Sequence, residues 1–207
     1  MKKELICYCE AKVELDVPER IDLTANPETK AEILAGRFMS VRCGTCGKLL
    51  KPEFPVRIDG VGGSTTLYFI PELDRLAYMR NKLPYPVPET DRVVIGYEEL
   101  LEKLRLADAE LDDRVAEMIK YILYSKAVES AETEKEIRIF FNRRSDGTLV
   151  FHVHGLKEGE VGVLNVPETT VKKLTDTLPE KLEEEPFSRF LTGAYVSLNR
   201  YFSEVVE

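Results

Sequence analysis

Tryptophan is absent from the 207 residues, histidine occurs twice and cysteine four times. No run of about 18 apolar residues is present, so no transmembrane helix is expected. Met1 to Ala11 holds two lysines but no apolar stretch long enough for a signal peptide. The expectation is a soluble, cytoplasmic protein with no membrane partner. Four cysteines are too few for a disulfide scaffold in a chain of this length, and a reducing cytosol keeps them as thiols or metal ligands. The two histidines stand far along the chain from the cysteines, so a nucleophilic thiol lacks an obvious general base. Nothing in the sequence pairs two carboxylates. An enzyme, hydrolytic or redox, is therefore the minority reading.

A basic stripe is also missing. Acidic residues outnumber basic ones 37 to 29, giving a net charge of −8, and the excess lies downstream of a balanced N-terminal third. Arg42, Lys48, Lys51 and Arg57 are the basic residues near the cysteines, and acids are interleaved with them. They read as solvated strand edges, and no nucleic-acid partner is expected.

What the chain does have is Cys43-Gly44-Thr45-Cys46-Gly47-Lys48. Two thiols at i and i+3 can converge on one metal ion, and the glycines let the backbone curl and aim N–H groups at the sulfurs. A structural zinc site takes four ligands in a tetrahedron. Cys7 and Cys9 are the remaining thiols, so the candidate ligand set is Cys7, Cys9, Cys43 and Cys46, with Zn2+ as cofactor. Four thiolates leave no open position for catalysis.

The surrounding pattern is that of a small metal-clamped sheet. Val13, Leu15 and Val17 alternate as in a half-buried strand ending at Pro18, with Ile21 and Leu23 beyond. Asn26-Pro27 opens a short helix carrying Ala31, Ile33 and Leu34 and closing at Gly36. Phe38 to Arg42 returns as a strand to the second cysteine pair, and Leu49 to Ile58 leaves it. Two strand-and-turn units meeting at a metal are the plan of a zinc ribbon.

These residues resemble the CpXC family, which is named for its cysteine motif and has no assigned activity. The N-terminal cysteine pair, Asn26-Pro27-Glu28, the run Ile33-Leu34-Ala35-Gly36-Arg37-Phe38 and the Cys43 to Lys48 turn follow one another as they do there. Leu67-Tyr68-Phe69-Ile70-Pro71 and Asp112-Asp113-Arg114-Val115 extend the resemblance over roughly residues 5 to 126. The first motif departs from the family's Cys-Pro-x-Cys: Cys7-Tyr8-Cys9 is one residue shorter and lacks the proline. Gly44 stands where the family often has proline.

Downstream, Asp59 to Ser64 is a glycine-rich connection between strands Phe54 to Ile58 and Thr65 to Ile70. It has neither the lysine nor the following helix of a phosphate loop. Pro84, Pro86 and Pro88 exclude a helix around Tyr85. Val93 to Ile95 reads as a strand. Leu100, Leu101 and Leu104 share one helix face, and Asp112 or Asp113 caps a second helix with Val115, Met118, Ile119, Ile122 and Leu123 inward. Tyr121 and Tyr124 are expected beside that stripe with their hydroxyls in water. The acidic stretch Glu129 to Glu136 marks the expected boundary between residues 1–128 and 131–207.

Beyond it, Ile137, Ile139 and Phe141 alternate, Ser145-Asp146-Gly147-Thr148 turns the chain, and Leu149, Phe151 and Val153 alternate again. Val161 to Val166 is a third strand, Pro167 starts a helix with Val171, Leu174 and Leu178, and Phe187 to Val205 keeps helical spacing as one last helix. His152 and His154 share one strand face, with no carboxylate or cysteine at ligand spacing to complete a metal site. The expected fold is α+β: a zinc-ribbon-like N-terminal domain with a helical extension and a smaller C-terminal αβ domain. The expected role is a structural-zinc protein with a protein partner. A nucleic-acid-binding ribbon is the rival binding class.

Overall fold

Alternation of apolar and polar residues pairs the first two strands, β1 (Lys2–Ile6) and β2 (Lys12–Asp16), as an antiparallel hairpin with Leu5 opposite Val13. The computed structural model describes residues 1–130 and 136–204 of the chain. It is a mixed α+β structure that divides into two compact units, Met1–Leu101 and Glu102–Glu207.

In the first unit the main sheet has four strands: β3 (Arg20–Asp22), β6 (Val56–Val61), β7 (Thr65–Ile70) and β8 (Arg92–Ile95). Only β6 and β7 form a hairpin; β3 lies parallel to β6, and β8 parallel to β7. Parallel neighbours need a crossover. The one from β3 to β6 contains helix α1 (Pro27–Leu34) and a second small hairpin, β4 (Val41–Arg42) with β5 (Leu49–Leu50). The one from β7 to β8 contains a 3-10 turn (Glu72–Asp74), helix α2 (Arg75–Met79) and the proline segment. The strand expected over Phe38 to Arg42 is confined to its last two residues, because Met39 adopts a left-handed backbone (φ 54°).

Ile58, Phe69, Ile70, Val94 and Ile95 are fully buried on this sheet. The β6–β7 register shifts between Ile58 and Val61. Gly60 supplies the irregularity with φ 75°, and a Cβ there would lie 2.4 Å from Thr24 Oγ1. The substitution Gly60→Ala is expected to combine a strained backbone with this clash and to destabilise the first unit by about 1–3 kcal/mol. Thermal unfolding followed by circular dichroism reads it as a lowered midpoint; an unchanged midpoint contradicts the assignment. Beside the bulge, burial pushes the Asp59 carboxyl up, but hydrogen bonds from Arg20 and Arg57 outweigh it and hold its pKa below the usual carboxylate value.

The second unit is a three-stranded antiparallel sheet in the order β11 (Val161–Pro167), β10 (Thr148–His154), β9 (Arg138–Ser145). Asp146 and Gly147 both have positive φ, 48° and 72°, as the tight turn joining two right-twisted strands requires. Helix α4 (Asp113–Ser130) packs on β9 and on α5 (Glu168–Lys181), α6 (Phe187–Leu191) and α7 (Leu198–Glu204). Phe141, Phe151, Phe190, Val115 and Met118 form its centre.

Three features differ from expectation. The units divide inside helix α3 (Tyr97–Asp108), since α4 buries its apolar face within the second unit; of the expected linker, residues 131–135 lie outside the described residues. The single last helix is two, because Thr192 is extended and Gly193 left-handed (φ 76°), although Leu191 and Leu198 enter the same core. Tyr121 and Tyr124 are partly buried beside the core, as expected, and Tyr121 packs against Phe187, Phe190 and Tyr201 at 5.2–5.9 Å, and Tyr124 against Phe202 at 4.5 Å. Ile122, expected inward, is partly solvated because the aromatic helices take the tyrosine side of α4.

Candidate metal centre

Each cysteine pair sits in the turn of a two-stranded hairpin. In the first, Cys7 follows β1 directly, its N–H donates to Ala11 O at 2.9 Å, and Glu10 N–H donates back to Cys7 O at 2.8 Å. In the second, Cys43 follows β4, its N–H donates to Lys48 O at 2.9 Å, and Gly47 N–H donates to Cys43 O at 2.9 Å. The residue after the second cysteine is left-handed in both turns: Gly47 with φ 71°, Glu10 with φ 66°.

The shortened Cys-x-Cys motif thus keeps the closing geometry of the longer one by forcing a non-glycine residue into the left-handed region. That conformation costs an L-residue about 1–2 kcal/mol. Glu10→Gly is accordingly expected to leave metal binding intact and stability unchanged or slightly raised, whereas the β-branched Glu10→Val should weaken metal retention. Chelator competition on the two variants measures this, and equal retention in both contradicts it. Gly44, by contrast, does not have a positive φ, and a Cβ there would meet nothing within 4 Å. Of the two glycines in the second turn, Gly47 carries the conformational need.

The two turns bring all four sulfurs within 4.8 Å of one another. Cys7 Sγ lies 3.6 Å from Cys46 Sγ, and Cys9 Sγ lies 3.7 Å from Cys43 Sγ. Sulfurs at the corners of a tetrahedron with Zn–S bonds of about 2.3 Å stand about 3.8 Å apart, so the donor set fits zinc. Cys7 and Cys43 are buried and Cys9 and Cys46 exposed. Beneath them, Cys7, Val13 and Cys43 form a small apolar cluster with Ala11, Val41 and Leu50 at its rim.

The Cys43 thiol is lowered to about 6, first by the Cys46 N–H and then by the Thr45 N–H, with burial opposing and the Cys9 and Cys7 thiols assisting. Sequence reading missed a second tie between the turns: Lys48 Nζ sits 4.0 Å from the centre of the Tyr8 ring. Arg42 Nη1 also donates to Gly47 O at 3.2 Å. Among the described residues the cysteines are the group of three or more potential ligands within coordinating range.

His152 and His154 lie elsewhere, on β10. His152 is flanked by Phe140 and Val163, and His154 by Arg138 and Val161. Burial, with His154, Arg105 and Arg143 nearby, lowers the His152 pKa.

A protein of Treponema pallidum (strain Nichols) named "Uncharacterized protein" is 24% identical over 219 residues, covering 97% of this chain and 99% of the relative. No solved structure matches the chain. The family model described as CpXC protein matches residues 5–120, which include the cysteines, the four-stranded sheet and the start of α4. The chain belongs to the CpXC family.

Proposed function

We propose that Cys7, Cys9, Cys43 and Cys46 bind one Zn2+ whose role is structural, and that the chain serves in the cytoplasm as a protein-interaction module. The observation that carries the metal reading is the meeting of four sulfurs at near-tetrahedral spacing from two hairpins that are 34–39 residues apart in sequence. Four thiolates fill the coordination shell, which favours holding a fold over activating a substrate. The apolar cluster under the site is thin, and a bound metal supplies the cohesion that it lacks.

The interaction reading draws support from the ribbon's surface. Ile6 is 74% exposed, Tyr8 83% and Leu49 41%, so three large apolar side chains flank the cysteines. The net charge of −8, with a tetrathiolate zinc itself anionic, disfavours phosphate backbones as the partner. Fluorescence anisotropy with mixed DNA and RNA oligomers at physiological salt should show no binding. Salt-sensitive micromolar binding would replace the protein-interaction reading with a nucleic-acid one. Elemental analysis of protein purified without chelator should find zinc at one equivalent, and none contradicts the metal reading.

A further inference from the structure

The four sulfurs are not equivalent. Cys9 and Cys46 face solvent, while Cys7 and Cys43 are buried, and the short sulfur–sulfur contacts each join an exposed cysteine of one hairpin to a buried cysteine of the other. An oxidant reaches the exposed pair first, because thiol oxidation follows thiolate character and access, and metal ligation requires these sulfurs as thiolates.

We propose that Cys9 and Cys46 are sites of modification by hydroperoxides, each resolved by the buried cysteine across the ribbon into the disulfides Cys9–Cys43 and Cys7–Cys46, with loss of the metal. This rests on the structural-zinc reading above. The exposed thiolate attacks one peroxide oxygen, the O–O bond breaks, and a sulfenic acid forms as hydroxide, or alkoxide from an organic peroxide, departs. The buried thiolate then attacks the sulfenic sulfur, an S–S bond forms and a second hydroxide leaves. Two electrons pass from two thiolates to one peroxide per disulfide, and solvent protons convert the leaving anions to water or alcohol.

Cross-ribbon closure follows the short sulfur–sulfur contacts of both pairs and is favoured over closure within the first turn. The separations of 3.6 and 3.7 Å need only a short approach to reach bonding distance, whereas a bridge between Cys7 and Cys9, with one residue between them, strains the chain. The outcome is a covalent staple in place of the metal one. The hairpins β1–β2 and β4–β5 stay joined, and a thiol reductant restores the ligands.

The test uses the full chain, its zinc content measured beforehand, treated with a few-fold molar excess of hydrogen peroxide. Zinc release is followed with a chromophoric chelator, and the products are then digested with trypsin without reduction. Trypsin leaves Cys7 and Cys9 in one peptide, Glu4–Lys12, and Cys43 and Cys46 in another, Cys43–Lys48. The expected result is near-complete zinc release with the two peptides recovered as one doubly linked species, fragmenting as Cys7–Cys46 and Cys9–Cys43, and recovery of zinc binding after dithiothreitol and added zinc. Two separate peptides, each internally bridged, would overturn the proposal, as would sulfonic acids or zinc retained under peroxide. A preparation with no zinc at the outset contradicts the metal reading instead, and the digest still decides the pairing.

Discussion

Cys43→Ser is expected to abolish zinc binding and to unfold the two cysteine hairpins while the rest of the chain stays folded. Zinc capture in a small domain contributes on the order of 10 kcal/mol, and the apolar cluster at the site, centred on Cys7, Val13 and Cys43, has little to set against its loss. Cys43 is also the buried sulfur toward which the Cys46 and Thr45 N–H groups point, so a serine there removes the best-supported ligand. The four-stranded sheet has its own fully buried Ile58, Phe69, Ile70 and Ile95, and the second unit its own aromatic centre. Hydrogen exchange should therefore show protection lost over residues 2–16 and 41–50 and kept over 56–70 and 138–154. Cys9→Ser, at an exposed cysteine on the shorter turn, should be the milder change. Uniform loss of protection would mean that the metal supports more than the ribbon, and no loss that it supports nothing.

The second large effect lies far from the cysteines. Lys120 is buried on α4, where its Nζ donates to Glu102 Oε2 at 2.8 Å and to Glu117 Oε1 at 2.9 Å. The other oxygens of these carboxylates accept backbone N–H groups, Glu102 from Phe141 on β9 at 2.6 Å and Glu117 from Leu198 at the start of α7 at 2.7 Å. Three charges thus tie helices α3, α4 and α7 to the sheet. Lys120→Met keeps the volume and leaves two buried carboxylates without their cation, at a cost of about 3–5 kcal/mol.

Burial first, then Glu102, raises the Glu117 pKa, while Lys120 and Lys103 oppose. Removing Lys120 strengthens that rise. A carboxyl whose folded pKa is raised is best tolerated below its unfolded pKa and becomes destabilising as pH climbs through the folded one. The Lys120→Met variant should therefore lose more stability at pH 8 than at pH 5, as urea unfolding at the two values will show. A loss that is small or independent of pH contradicts a charged triad at this place.

Local pattern made much of this structure legible. The cysteine turns, the Asp146-Gly147 hairpin and most strands follow from alternation and turn chemistry that span a few residues. Pairing over distance was not legible: the parallel neighbours β3 with β6 and β7 with β8 depend on partners separated by crossovers, and nothing in Arg20 to Asp22 names Arg57 to Asp59. The burial of Glu102 on α3 and of Glu117 and Lys120 on α4 was not legible either, because it depends on charged partners and backbone amides that only the fold brings together. Phe187 to Leu198 misled in another way: apolar spacing survives across the break at Thr192 and Gly193 because both helices feed one core. At the candidate site the grouping of four cysteines was readable, whereas the left-handed Glu10 and the Lys48–Tyr8 contact were not, each being a consequence of how the turns close.

X-ray absorption at the zinc edge on protein purified without chelator reads the coordination of the four cysteines. One zinc per chain is expected, with a single shell of four sulfurs at about 2.3 Å and no nitrogen or oxygen neighbour. A shell containing oxygen or nitrogen, fewer than four sulfurs, or no zinc at all would contradict it.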